Sequence, residues 1–388
     1  VEIAPDAGYV IGVDLRETHP VRIAVRDAHG RNLIKDPAIL DLPSGTPVGE
    51  DDVWSAEPAV TMPGASELLE LATTGIEICT RDLDKNDLLG IGISLPGPVK
   101  DGFVVGPNAN PWDLVRADES LVRILGDKLP DVGPTVAERT EKLVVTRSDA
   151  YASAVTEYLW GAREAATPEC VVVKWSFDLC AALILDGELY TGSGGRAGAI
   201  GHLVVDEDES GAMCDVCGRR QCLHAVADLR RLSQIATGQV EAMPSAEAIK
   251  VAFDRGDPDI TKQLKLAAKW IGTAVSSYVA ALDPATVILG GAIGGRVFDG
   301  VQVDFMEQIT NCLPGREMGD LTVAGATRTR NTATLGAAAC ALLQLGPERL
   351  KSFATETKTK GGQATRKGRN GDLGHSGNGA ALAVPGVS

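Results

Sequence analysis

Three cysteines and one histidine in this 388-residue chain form a complete donor set for a tetrahedral metal ion. Cys214, Cys217 and Cys222 follow the spacing Cys-x2-Cys-x4-Cys, and His202 precedes them in Gly198-Ala199-Ile200-Gly201-His202. Thiolate sulfur and imidazole nitrogen are donors that zinc favours. Gly218 follows the second cysteine, where a tight thiolate turn needs a residue without Cβ. Four protein ligands fill the shell, so the expected ion is a structural zinc that fastens a loop and leaves no position open for catalysis. The plainer alternative is three thiols in a buried loop beside a core histidine.

The elements that must carry these residues alternate along the chain. Tyr9 to Asp14 is a short apolar run, Val21 to Arg26 alternates, and the turn Asp27 to Gly30 leads to another short strand, which predicts a β-meander opening an α/β unit. Leu89 to Ser94 is a buried strand that stops at Pro96-Gly97-Pro98, a rigid turn at the strand end where α/β folds place ligands. Asn108, in the following Pro107-Asn108-Ala109-Asn110-Pro111, lines a cleft or sits in a plain turn. Ser148 to Trp160 reads as a helix capped by Ser148 or Asp149, with Ala152, Val155 and Leu159 on one face. Val171 to Leu185 reads as a strand, a turn and a strand, closed as a hairpin by Asp186-Gly187. Lys262 to Leu282 is a long amphipathic helix, Thr286 to Leu289 a strand followed by the turn Gly290-Gly291, and Thr334 to Leu345 a last helix.

Composition sets the class. Hydrophobic content of 44% lets the chain bury one large or two medium cores, while the net charge of −15 excludes a body that wraps nucleic acid. No 18-residue apolar run and no signal peptide occur, so a soluble cytoplasmic protein without membrane contact is expected. Cys79, Cys170, Cys180, Cys312 and Cys340 lie singly in apolar segments and read as buried thiols. Residues 347–388 are poor in large apolar side chains and read as a disordered tail. They carry seven Lys+Arg against three Asp+Glu, which leaves −19 on the body (−15 minus +4).

The order of several motifs resembles the ROK family of sugar kinases and sugar-responsive repressors. They are Asp14-Leu15-Arg16-Glu17-Thr18, Pro96-Gly97-Pro98-Val99, Ser148-Asp149-Ala150, Gly198 to His202, the cysteine cluster, Ile288-Leu289-Gly290-Gly291 and Leu335-Gly336-Ala337. The likeness runs over about residues 9 to 345. It implies an actin-like ATPase (ribonuclease H-like) α/β fold of two lobes around a cleft, with a zinc-stapled loop, as a homodimer or homotetramer. The N-terminal lobe is expected over 1–145, completed by the helix near 334–345, and the C-terminal lobe over 146–333 with the zinc loop at 198–224.

Departures from the family pattern set the functional expectation. The kinases' first phosphate loop reads Asp-x-Gly-Gly-Thr. Here Asp14 and Thr18 remain, while Arg16 and Glu17 replace the glycines. The glycine-rich second phosphate loop corresponds to Ser176 to Ala182, which has no glycine and places Asp178 where phosphate would approach. Productive binding of ATP and Mg2+ is therefore not expected. Ser148-Asp149 stands for the family's Asn-Asp, so the resemblance makes Asp149 the general base, retained or vestigial, and the plainer alternative makes it an N-cap. Ala199 and His224 replace two glutamates that the resemblance assigns to sugar hydroxyls. Asn108, Ser148, Asp149, His202 and His224 form the expected effector site. His224 in place of a carboxylate shifts the preferred effector from a neutral sugar toward a phosphosugar. The expected function is the ligand-sensing and oligomerisation part of a ROK-type transcriptional regulator. The alternatives are an ATP-dependent, glucokinase-like sugar kinase and a non-catalytic scaffold. The chain starts at Val1 without methionine, so the helix-turn-helix that would contact DNA is expected to have preceded it.

Overall fold

The computed structural model describes residues 8–345 apart from 17–19, 41–47, 59–62, 85–86, 106–111, 113–114, 129–143, 162–166, 178, 207–210, 240, 242, 312–320 and 329. The expectations for Glu17, Thr18, Asn108, Asp178, Cys312 and the tail 347–388 fall outside the described residues.

Tyr9–Asp14 (β1) is buried at every position, as befits a strand covered on both faces. Val21–Asp27 (β2) returns antiparallel to it, with Asp14 opposite Arg22. The next strand of the meander is Trp54–Ala56 (β3), not the residues after Gly30. Those residues contribute one isolated bridge, Arg26 to Asn32. There the Asn32 side chain turns inward to accept from Nη1 of buried Arg26 at 2.7 Å, which satisfies a buried cation instead of extending a ladder. Ala65–Thr80 (α1) follows, then Leu88–Leu95 (β4), a small hairpin of Val99–Lys100 (β5) and Phe103–Val104 (β6), Ala117–Lys128 (α2) and Val144–Ser148 (β7). The first sheet has the order β3-β2-β1-β4-β7, with β4 and β7 parallel to β1.

Asp149–Trp160 (α3) leads to Cys170–Trp175 (β8), Leu179–Leu185 (β9) and Glu188–Tyr190 (β10). Asp186-Gly187 joins β9 to β10, so it does not close the β8–β9 pair as the sequence reading has it. Both turn residues sit at positive φ, 53° and 78°, as a tight two-residue hairpin requires. After a 3-10 turn at Ile200–His202 come Leu223–Ala227 (α4), Leu229–Thr237 (α5), Ala246–Asp254 (α6) and Pro258–Leu282 (α7). α7 starts one turn before the expected Lys262, because Asp257 caps the amides of Asp259 and Ile260 (3.0 and 3.1 Å) and Pro258 suits the first helical turn. Thr286–Gly290 (β11), Gly291–Asn311 (α8), Thr322–Gly325 (β12) and a helix over 332–345 (α9) complete the described chain.

The second sheet has the order β10-β9-β8-β11-β12. Each sheet thus carries its own strands as third, second, first, fourth, fifth, with the first three antiparallel and the last two parallel. This twice-used mixed order is the α/β architecture of the actin-like ATPase fold.

α3 lies between the two sheets and is buried on two faces. Ala152 and Val155 pack with Val10, Ala24 and α9, while Tyr151 and Ala154 pack with β8, β9 and β11. The helical period separates the two sets by one position, so one helix serves both cores. α9 packs backbone to backbone against its neighbours. A Cβ on Gly92 of β4 would stand 1.7 Å from the Ala337 carbonyl, and one on Gly336 would stand 1.6 Å from that of Ala152. Among the described residues no helix is long and apolar enough to cross a membrane.

Candidate functional site

The metal-ligand set assembles from three short pieces of backbone. His202 ends the 3-10 turn, Cys222 caps α4, and Cys214 to Gly218 form a tight knuckle with Gly218 at φ +69°. In that knuckle the Gly218 amide donates to the Cys214 carbonyl at 3.0 Å, and the Cys217 amide points at Cys214 Sγ at 3.5 Å. Bridges from Val204 to Cys222 and from Met213 to Arg220 hold the two ends of the loop. Cys214 Sγ lies 3.7 Å and Cys222 Sγ 3.9 Å from His202 Nδ1, and Cys217 Sγ lies 3.8 Å from Cys222 Sγ. Sulfurs about 2.3 Å from one tetrahedral ion would stand about 3.8 Å apart. All four donor atoms fall within 4.8 Å of one another, and the cluster can hold a metal ion.

His202 also borders a cavity of about 260 Å³ between the sheets. Gly97 and Pro98 close one side, Ser148 to Tyr151 form another, and Leu179, Cys180 and the 195–202 segment face them. His224 completes the wall, its ring 5.4 Å from that of His202 and edge-on at 70°. Tyr151 positions the facing loop by donating its hydroxyl to the Ala197 carbonyl at 2.5 Å. The Ala181 amide donates to the Gly198 carbonyl at 2.8 Å, at a contact so close that a Cβ on Gly198 would stand 1.9 Å from the Ala181 oxygen. Ser148, Asp149, His202 and His224 therefore share one cavity, and Ala199 puts only a methyl group into it.

Ser148 is the N-cap of α3, its Oγ accepting from the Tyr151 amide at 3.2 Å, so Asp149 is the first helical residue. The buried Asp149 carboxylate is engaged by two cations. Lys174 Nζ of β8 donates to Oδ2 at 3.1 Å, and Arg16 Nη1 stands 3.9 Å from the same oxygen. Arg16 in turn grips Asp14 with Nε at 2.9 Å and Nη2 at 2.6 Å, and Arg22 lies 3.9 Å from Asp14. Burial pushes the Asp149 carboxyl up, but Lys174, Arg16 and the Ala150 amide outweigh it and hold the group below the usual carboxylate range. The sequence reading picked out Arg16 as a lost glycine and passed over Lys174. A single cation in the apolar run Cys170 to Trp175 was the available signal, since a buried ammonium requires a counter-ion.

β8 ends at Trp175, which is fully buried and donates its indole N–H to the Ala227 carbonyl at 2.9 Å. The first residue of α8, Gly291, touches the Trp175 backbone, where a Cβ would stand 2.5 Å from its oxygen. Trp175 thus anchors in the core the residue that immediately precedes the segment 176–182, which the resemblance equates with the second phosphate loop.

A profile of the ROK family matches residues 77–343, more than half of the chain. The chain belongs to the ROK family. This ROK protein is 30% identical over 160 residues to an N-acetylmannosamine kinase of Haemophilus influenzae strain PittGG, a stretch covering 41% of this chain and 52% of that one. The chain spans about half the length of this curated relative. Among solved structures it is similar to a ROK hexokinase from Thermus thermophilus, with TM-score 0.62 and 24% identity over 87% of this chain and 99% of the other. It is also similar to a ROK family transcriptional regulator homologous to the Escherichia coli MLC protein, with TM-score 0.63 and 21% identity over 90% and 81%. At these identities the structural likeness concerns the fold.

Proposed function

We propose that this ROK chain is the ligand-sensing and oligomerisation part of a transcriptional regulator, with a cavity that binds a small effector and no phosphoryl transfer. The carrying observation is the pairing of Asp149 with Lys174 and Arg16. A general base must be free to take a proton from a sugar hydroxyl, ideally with a pKa near the working pH. Asp149 is held as a buried, doubly paired carboxylate with a depressed pKa, which makes it a poor base. Arg16 supports the same reading, since an ion-paired side chain stands where the family's kinases use a glycine.

The effector we propose is a sugar or, preferably, a phosphosugar. Carboxylates that would accept from neutral hydroxyls are missing at 199 and 224, and charge-assisted hydrogen bonds are worth about 1.5–3 kcal/mol each. His224 supplies an imidazole nitrogen to the cavity wall in place of a carboxylate. The ion at His202, Cys214, Cys217 and Cys222 is proposed to be structural zinc, which fixes His202 at the cavity wall. DNA contact is assigned to a helix-turn-helix module outside these residues, and assembly to a homodimer or homotetramer.

A second reading is an ATP-dependent sugar kinase. It is favoured by the curated kinase relatives and by the retained Asp149. Calorimetric titration with ATP and magnesium, together with coupled assays on glucose, mannose and their N-acetyl derivatives, separates the two readings. The regulator reading expects no micromolar ATP binding and no turnover. Asp149-dependent phosphorylation by the unaltered chain would put the kinase reading first.

A further inference from the structure

Cys214 belongs to a second group of donors beside the first. Its Sγ, a carboxylate oxygen of Asp215 and a ring nitrogen of His224 lie within 4.8 Å of one another. His224 Nε2 stands 4.0 Å from Asp215 Oδ1, while Arg230 Nη1 approaches the other oxygen, Oδ2, at 3.7 Å. The arginine therefore leaves Oδ1 on the histidine side. Sulfur, carboxylate and imidazole together suit zinc and its neighbours among the divalent transition metals.

Electrostatics favour a further cation here. Three thiolates and a neutral imidazole around one dication leave one net negative charge, while the charge of Asp215 is offset by Arg230. A thiolate keeps lone pairs after binding one ion and can bridge to a second, at the separation of about 3.5–4 Å typical of two-metal sites. We propose that Cys214, Asp215 and His224 bind a second divalent transition-metal ion, sharing the Cys214 thiolate with the first. Three protein donors leave this ion a position for water or a ligand oxygen, unlike the closed first site. Because His224 is also a wall of the cavity, the second ion draws that side chain away from the effector and makes cavity occupancy sensitive to free metal.

The proposal rests on the first set holding an ion, and the experiment separates the two claims. Protein is purified without chelators, its zinc is counted, and the zinc-loaded chain is titrated with cobalt(II) while its absorption and any released zinc are followed. One zinc per chain is expected at the start. One further cobalt should then bind without releasing zinc, giving the visible bands of a tetrahedral cobalt site with sulfur ligation. His224→Gln and Asp215→Asn should keep the zinc and weaken cobalt binding at least tenfold. No cobalt uptake by zinc-loaded protein, uptake only by displacement of zinc, or unchanged uptake in His224→Gln would overturn the proposal. Protein that carries no zinc at all would sink the first-site reading and this one with it.

Discussion

At Asp149, two cations and one carboxylate share a buried space, so losing Lys174 leaves the carboxylate with Arg16 alone at 3.9 Å. Lys174 and Asp149 are 7% and 4% exposed, and breaking such a pair costs about 3–5 kcal/mol. Lys174→Met should destabilise the protein by about that amount in urea unfolding. The double variant Lys174→Met with Asp149→Asn should recover much of the loss, because no unpaired charge faces Lys174's former place. The pH dependence follows from the direction of the shift. The folded carboxyl has a lower pKa than the unfolded one, so its stabilisation is complete above the unfolded value of about 3.9 and is lost as pH falls through the folded value. The stability gap between wild type and Asp149→Asn should therefore be widest near neutral pH and narrow below about pH 4. A gap that widens in acid would contradict the pairing.

Elements made only of local signals were legible in the sequence, and elements defined by partners were not. The zinc-type spacing, the Ser148 cap and the apolar runs of β1, β4, β8 and β11 could be read directly. β3 could not, since its pairing with β2 follows the long segment anchored at buried Arg26. Half of α3 was also hidden. Ala152, Val155 and Leu159 read as one face, whereas the opposite face, Tyr151 and Ala154, acquires its role only once the second sheet is present. In the candidate site the grouping of His202 with the three cysteines was legible because cysteine spacing is local, and Lys174 was missed because its partner lies across a sheet boundary. The knuckle offers a direct check at this scale. Cys217→Ser should lower bound metal below the wild-type ratio and reduce the melting temperature, as read by metal analysis and calorimetry. Gly336→Val tests the contact of α9 with α3. The new side chain meets backbone at 1.6 Å, so a loss of about 1–3 kcal/mol or more is expected in chemical denaturation.

Across the whole molecule, one arrangement governs how it can be made. The face of the first sheet that holds Gly12 and Gly92 is covered by α9, the last helix described. During synthesis that sheet has its strands long before its cover. Ribosomes add about 5–20 residues per second, so some tens of seconds separate emergence of β4 from that of α9. α3 can cover part of this face early, but through that interval the part around Gly12 and Gly92 that α9 will occupy lies open, and the nascent chain presents that apolar strip to chaperones. Chains stopped before residue 332 should accumulate in the insoluble fraction, and a separately expressed second half carrying α9 should rescue their solubility when both are made together. Soluble, cooperatively melting protein from the shortened chain alone would show that the sheet does not wait for its last helix. The order of synthesis thus makes α9, the last helix among the described residues, a late seal on a sheet whose strands were made long before it.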